Sequence, residues 1–239
     1  MSPFRATLIF YPRMIRTVWH ASRLARRGRY GRAEWERSSR DILAALERAG
    51  CRVEIEGMQH ISSFDGPAVF TANHMSTAET FLLPAVIDPV KPLTFVVKPS
   101  LLEYPVFGHI MRSRAPIVVS RDNPRADLIT VLEEGRRRLA NGISIVLFPQ
   151  TTRITGFDRT MFNTLAVKLA KASGVPVVPV ALRTDAWGNG SLIKDFGRID
   201  PRIPLRIVFA PPMGITGNGK REHERILAFI EEHLRRWGL

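Results

Sequence analysis

A chain of 239 residues that is 45% hydrophobic and 24% charged can build one sizeable core, which excludes wholesale disorder. No apolar run reaches the roughly 18 residues of a membrane-spanning helix, and a single cysteine, Cys51, excludes an intramolecular disulfide and fits a reducing compartment. The formal charge of +13, from 35 Lys and Arg against 22 Asp and Glu, directs attention to anionic partners: membrane, nucleic acid or phosphorylated substrates.

Much of that charge is N-terminal. Residues 1–40 hold ten Arg, no Lys and, as acids, only Glu34 and Glu36. Phe4, Leu8, Tyr11, Ile15, Val18 and Trp19 recur at three- and four-residue steps and predict a helix with one apolar side, while Arg5, Arg13, Arg16 and Arg23 charge the remainder. An apolar stripe with aromatics and arginines is the composition of an interfacial helix that lies on a bilayer without crossing it. Each basic residue near an anionic surface contributes about 1 kcal/mol to such binding. Residues 1–50 therefore read as a basic amphipathic membrane-association segment, with the protein peripheral or monotopic at the cytoplasmic face of a membrane. The same stripe also suits a helix packed onto the domain. A mitochondrial presequence fits poorly because Ser is sparse before Ser38, and a nucleic-acid arm fits poorly because no nucleic-acid motif accompanies the arginines. Pro12 predicts a kink or the start of a second helix.

A helix over Glu34–Arg48, ended by Gly50, leads into a chain where short β-branched segments alternate with helical ones. The predicted strands are Arg52–Glu56, Ala68–Ala72, Leu93–Lys98, Ile117–Ser120, Ile143–Phe148, Val175–Ala181 and Leu205–Phe209. The predicted helices between them are Thr77–Ile87, Leu101–Arg112, Arg125–Ala140, Arg159–Ser173 and Arg221–Arg236. This order predicts that residues 51–239 form a single α/β domain, a mixed and largely parallel sheet of about seven strands flanked by helices. Strands apolar on successive residues fit a sheet buried on both faces.

The segment TANHMSTAETFLL (Thr71–Leu83) places His74 at the C-terminal edge of a strand, where open α/β sheets put ligand sites. Within one helix, side chains five residues apart diverge, so His74 and Glu79 meet only if His74 precedes the helix. Ser76-x-x-Glu79 is a capping box that starts the helix at Thr77 and leaves His74 in the loop. The same box gives Glu79 an alternative occupation, satisfying the Ser76 backbone N–H. Further on, LFPQTTRITG (Leu147–Gly156) surrounds Arg153 with hydroxyls and an amide after an apolar strand, a setting that suits a phosphate gripped by a guanidinium. Lys98, in VVKPSLLEYPVFG, and Arg121, in PIVVSR, likewise follow apolar strands. Each is by itself compatible with an ordinary solvated charge.

Taken together, four segments resemble the blocks of the glycerolipid acyltransferases, the 1-acyl-glycerol-3-phosphate acyltransferase superfamily. NHMSTAET resembles its His-x4-Asp block, FPQTTR its Phe-Pro-Glu-Gly-Thr-Arg block, KPSLLEYPVFG with APIVVSR the block between them, and GVPVVPVAL (Gly174–Leu182) the last. Order and spacing agree over about Gly57 to Leu182. The resemblance implies that His74 is a general base oriented by Glu79. It further implies that Asn73, Lys98, Arg121, Thr151, Thr152 and Arg153 belong to the acceptor site, the cations contacting its phosphate. Glu79 replaces the usual Asp, and Gln150 and Thr151 replace the usual Glu and Gly, in the block that reads the acceptor head group.

The function so implied is acyl transfer from acyl-CoA or acyl carrier protein to the hydroxyl of a lysophospholipid or glycerol phosphate, such as lysophosphatidic acid, with no cofactor and no metal. Three rivals remain: a catalytically altered membrane- or lipid-binding module of the same fold, which the change at Gln150 and Thr151 motivates; a metal-dependent hydrolase, for which no His-Glu-x-x-His spacing is present; and a nucleic-acid binder. The chain lacks a Gly-x-Ser-x-Gly elbow.

Overall fold

Seven short strands, two of them buried on every residue, form the centre of the molecule. The structure, a computed structural model, describes all residues except Arg121, Thr151 and Leu192. Two expected site residues, Arg121 and Thr151, therefore lie outside the described residues. In chain order the elements are α1 (Pro3–Arg26), α2 (Arg32–Arg48), β1 (Val53–Glu56), α3 (Met58–Ser62), β2 (Val69–Ala72), α4 (Glu79–Ile87), β3 (Leu93–Val97), α5 (Ser100–Glu103), α6 (Phe107–Ser113), β4 (Ile117–Val118), α7 (Pro124–Ala140), β5 (Ser144–Leu147), a 3-10 turn (Arg159–Met161), α8 (Leu165–Ser173), β6 (Val177–Arg183), β7 (Leu205–Phe209) and α9 (Lys220–Arg236).

The strand order across the sheet is β1-β7-β6-β2-β5-β3-β4. Strands β6, β2, β5, β3 and β4 run parallel, whereas β7 is antiparallel to β6 and β1 follows β7. All four residues of β2 and of β5 are buried, as strands covered by helices on both faces must be. The molecule is thus a single α/β domain with a mostly parallel seven-stranded sheet. Because the five parallel strands share a direction, the loops after β2, β5, β3, β4 and β6 leave the sheet at one edge.

Three helices differ from expectation, each for a local reason. The stretch 101–112 divides into α5 and α6 around Pro105, and Tyr104 before it has ψ 127, the extended conformation that a following proline imposes. The stretch 159–173 divides because the Asn163 side chain accepts from Leu165 N–H at 2.9 Å and opens a fresh helix there. Helix α4 begins at Glu79 rather than Thr77, since the Ser76 hydroxyl accepts from Ala78 N–H at 3.2 Å but donates to Thr184 O at 2.9 Å, spreading the turn.

Helix α1 is continuous through Pro12. The backbone hydrogen bond that proline removes falls on an exposed part of the helix, next to exposed Leu8, so it opens no buried defect. Ala6, Phe10, Met14 and Ala21 form its buried side and join the same apolar cluster as Trp35 of α2, Phe95 of β3 and Phe209 of β7. The stripe singled out by spacing is mostly the other side: Phe4 is 71% exposed, Leu8 59%, Ile15 54% and Trp19 56%, with Tyr11 and Val18 half-buried at its flank. The helix therefore carries two apolar faces, and only one is covered. Among the described residues no helix is long and apolar enough to cross a membrane.

Phe10→Ala is expected to cost about 3–5 kcal/mol of folding stability, whereas Leu8→Ala, five-ninths of the way round the helix from it, changes stability by less than about 0.5 kcal/mol. Urea unfolding of the two variants checks the assignment of faces.

Candidate active site

The site begins where β2 ends. Asn73 extends the β2–β6 pairing with its side chain, Oδ1 accepting from Leu182 N–H and Nδ2 donating to Leu182 O, both at 2.8 Å. Asn73 is 1% exposed and both ends of its amide are used. It was expected to line the acceptor site; instead it ties the loop to β6 and contacts no open surface.

That tie projects His74 outward, 14% exposed at its side chain, while Glu79 at the first position of α4 is fully buried. The chain between them folds back on itself, and His74 Nδ1 hydrogen-bonds Glu79 Oε2. The other oxygen, Oε1, accepts from Met75 N–H at 2.7 Å, Ser76 N–H at 3.0 Å and the Thr184 hydroxyl at 2.6 Å. Half of the capping box is thus present, since Glu79 does bind the Ser76 N–H, but it does so with the oxygen that His74 does not use. A carboxylate only accepts, so the imidazole donates through Nδ1 and presents Nε2 as a lone pair.

The block after β5 supports the ring. Phe148 stacks on His74 with centroids 4.4 Å apart and planes inclined by 22°. Gln150 is fully buried, and its Oε1 accepts from His74 N–H at 2.9 Å; Ile154 N–H donates to His74 O at 3.0 Å. The contact made by Gln150 needs an oxygen, which Gln supplies as Glu would. Among the described residues its Nε2 has no partner.

Arg153, half-buried, donates through Nη1 to Asp195 Oδ1 at 2.7 Å, and Thr77 Oγ1 donates to the same oxygen at 2.8 Å. Burial pushes the Asp195 carboxyl up, but Arg153, Thr77 and Tyr104 outweigh it and hold it below the ordinary carboxylate range. Lys98 and Thr152 are exposed, Lys98 directly after β3 and Thr152 beside Arg153. Both lie at the same sheet edge, but neither joins the hydrogen-bonded cluster around His74. Cys51 is remote from this chemistry: burial pushes its thiol up to about 11, so it is no thiolate at neutral pH.

Two members of the cluster carried no signal in the sequence motifs, and a third carried one without a role: Thr184 lies two residues past the proline-punctuated block, Asp195 sits in a stretch without periodicity, and Phe148, the first residue of the FPQTTR block, was read only as the end of a strand. Only the fold brings them to His74 and Arg153. Among the described residues no group of three or more His, Cys, Asp or Glu is placed to share a metal ion.

A profile of the Acyltransferase family matches residues 52–183. The 1-acyl-sn-glycerol-3-phosphate acyltransferase of Pseudomonas aeruginosa is 31% identical over 191 residues, 78% of this chain and 70% of that protein. The enzyme of the same name from Escherichia coli K12 is 31% identical over 179 residues, 75% of this chain and 69% of that one. The crystal structure of the 1-acyl-sn-glycerophosphate acyltransferase PlsC from Thermotoga maritima superposes with a TM-score of 0.67, covering 97% of this chain and 94% of its own at 20% identity, a likeness of fold. With the family profile spanning more than half its length and the His74 and Arg153 blocks inside the matched region, this chain belongs to the glycerolipid acyltransferase superfamily and is an O-acyltransferase.

Proposed function

We propose that the protein transfers a fatty acyl group from a thioester, acyl-CoA or acyl carrier protein, to the free hydroxyl of lysophosphatidic acid, with His74 as general base. The observation that carries this reading is the buried Glu79 carboxylate holding His74 by Nδ1 at the sheet edge, so that Nε2 is the outward basic atom. The names of the relatives supply the acceptor.

A hydroxyl is a poor nucleophile at neutral pH. His74 Nε2 takes its proton as the oxygen attacks the thioester carbonyl, a contribution of about 10²–10⁴ in rate. Glu79 keeps the imidazole in one tautomer and stabilises the imidazolium that forms. When the tetrahedral intermediate collapses, the carbon–sulfur bond breaks and the imidazolium proton leaves with the thiolate as thiol, so an ester replaces the thioester and no acyl-enzyme is needed. Arg153 contacts the acceptor's phosphate through donors that Asp195 does not use.

A lipid acceptor also accounts for the uncovered face of α1. Phe4, Leu8, Ile15 and Trp19 form an exposed apolar ridge, and Arg5, Arg13, Arg16 and Arg23 are exposed on the same helix. That combination suits a helix lying in the interface of an anionic bilayer, with the lysolipid drawn from the membrane and the acyl donor from solution.

Incubating the purified protein with a labelled acyl donor and a panel of lysolipids, then identifying products by mass, tests the reaction; phosphatidic acid is the expected product. His74→Ala is expected to lower kcat by about 10³ or more in a protein that still folds, with a lowered melting temperature because buried Glu79 loses a hydrogen bond; retention of activity within a few-fold sinks the mechanism. Thr184→Val removes one donor from Glu79 and is expected to lower kcat about tenfold, measured at saturating acceptor. Replacing Ile15 and Trp19 together by Glu is expected to weaken sedimentation with anionic liposomes at least about tenfold, while activity on a detergent-dispersed acceptor persists.

A further inference from the structure

Strands β6 and β7 are antiparallel neighbours, yet the described residues of the chain between them, Thr184 to Pro204, form no helix or strand of their own. Connections of that length in a compact domain are uncommon unless they serve a function. This one is closed at its neck: Trp187 and Ile199 form a β-bridge, and Gly188 N–H donates to Arg198 O at 3.0 Å. Gly197 passes so close that a Cβ there would lie 1.7 Å from Gly188 O, which makes glycine obligatory.

The loop is held on three sides. Underneath, buried Trp187 stacks on Phe81 of α4 at 5.7 Å and meets the edge of Phe10 of α1 at 4.6 Å. Its indole N–H donates to Asp195 O at 3.2 Å. On the α1 side, the Tyr11 hydroxyl donates to Gly197 O at 2.5 Å, its ring stacks on Phe196 at 5.7 Å, and Ile199 N–H donates to Thr7 Oγ1 at 3.0 Å. Toward the histidine, Asn189 Nδ2 donates to Met75 O at 3.1 Å. These contacts deliver the Asp195 carboxylate to Arg153 Nη1 and Thr77 Oγ1, with the Tyr104 hydroxyl facing the same group.

We propose that Asp195 is the positioning residue for the acceptor-binding arginine: it pins one edge of the Arg153 guanidinium and thereby aims the other edge at the phosphate of the acyl acceptor. The inference rests on Arg153 being the phosphate contact. Among the described residues no other acceptor engages the guanidinium, so its remaining donors stay available for a bidentate grip. An unpinned arginine loses rotamer freedom each time it binds; a pinned one has already lost it. The pin is anchored to α1, and the exposed Ile193 and Phe196 flank Asp195 on the outer surface, so the segment that aims Arg153 adjoins the apolar ridge of that helix.

The test is a double-mutant cycle on the full-length protein with lysophosphatidic acid in mixed micelles. Asp195→Ala is expected to raise the KM for lysophosphatidic acid about tenfold while kcat stays within about threefold, with Asp195→Asn falling between because it keeps an acceptor oxygen. In an Arg153→Ala background the same Asp195→Ala change is expected to alter kcat/KM by less than about twofold, since its effect passes through the missing guanidinium. A wild-type KM for Asp195→Ala, a lowered KM, or an equal loss with and without Arg153 overturns the positioning role. If Arg153→Ala itself leaves the acceptor KM unchanged, the phosphate contact fails and the positioning role with it. Melting temperatures of all variants separate these results from misfolding.

Discussion

A fully buried carboxylate governs the geometry around His74. Removing the Glu79 charge from water costs several kcal/mol unless hydrogen bonds replace the lost hydration. Two backbone N–H groups, one hydroxyl and one imidazole provide them, and they come from two separate parts of the chain: the loop after β2, which holds His74, Met75 and Ser76, and Thr184 at the end of β6. Meeting this demand folds the loop back over the start of α4 and holds β6 beside it. The histidine is thus oriented by the same contacts that allow the carboxylate to be buried at all. Capping and orientation, which from the residue pattern compete for one side chain, are divided between its two oxygens.

A second set of contacts joins the site to the outermost helix. Phe10 and Tyr11 of α1 pack on Trp187 and Phe196 of the β6–β7 connection, and that connection carries Asp195 to Arg153 and Asn189 to the backbone of Met75. The path from the exposed ridge of α1 to Arg153 passes through packed rings and direct hydrogen bonds. If α1 rests on a bilayer, the bilayer-facing element and the acceptor-facing arginine share one rigid support. This arrangement also explains why residues 1–50 do not stand apart from the rest: their buried side chains belong to the same apolar cluster as the sheet.

The period of the N-terminal stripe was legible, but which side of the helix it lined was not. Both stripes of α1 are apolar, Phe10 with Met14 on one and Leu8 with Ile15 on the other, and hydrophobic spacing cannot say which of two such faces finds a partner. Asn73 is a parallel case. Its place in a motif beside His74 points to ligand contact, whereas its amide reproduces the two hydrogen bonds of a strand residue and is consumed by Leu182.

The sequence alone determined the alternation of strands and helices, the placement of His74 ahead of a helix, and the blocks that mark the acyltransferase superfamily, because these depend on residues near one another in the chain. The helix breaks at Pro105 and Asn163 were written locally too, in a proline and an Asx turn. Only the tertiary structure decided what completes the site: Thr184 on Glu79, Phe148 on His74, Asp195 on Arg153, and the side of α1 left uncovered. Each joins segments from separate elements and gains its meaning from the sheet order β6-β2-β5, which brings those loop ends to one edge. Pairing of that range leaves no local pattern in the residues, since many orders of the same strands bury the same apolar surface.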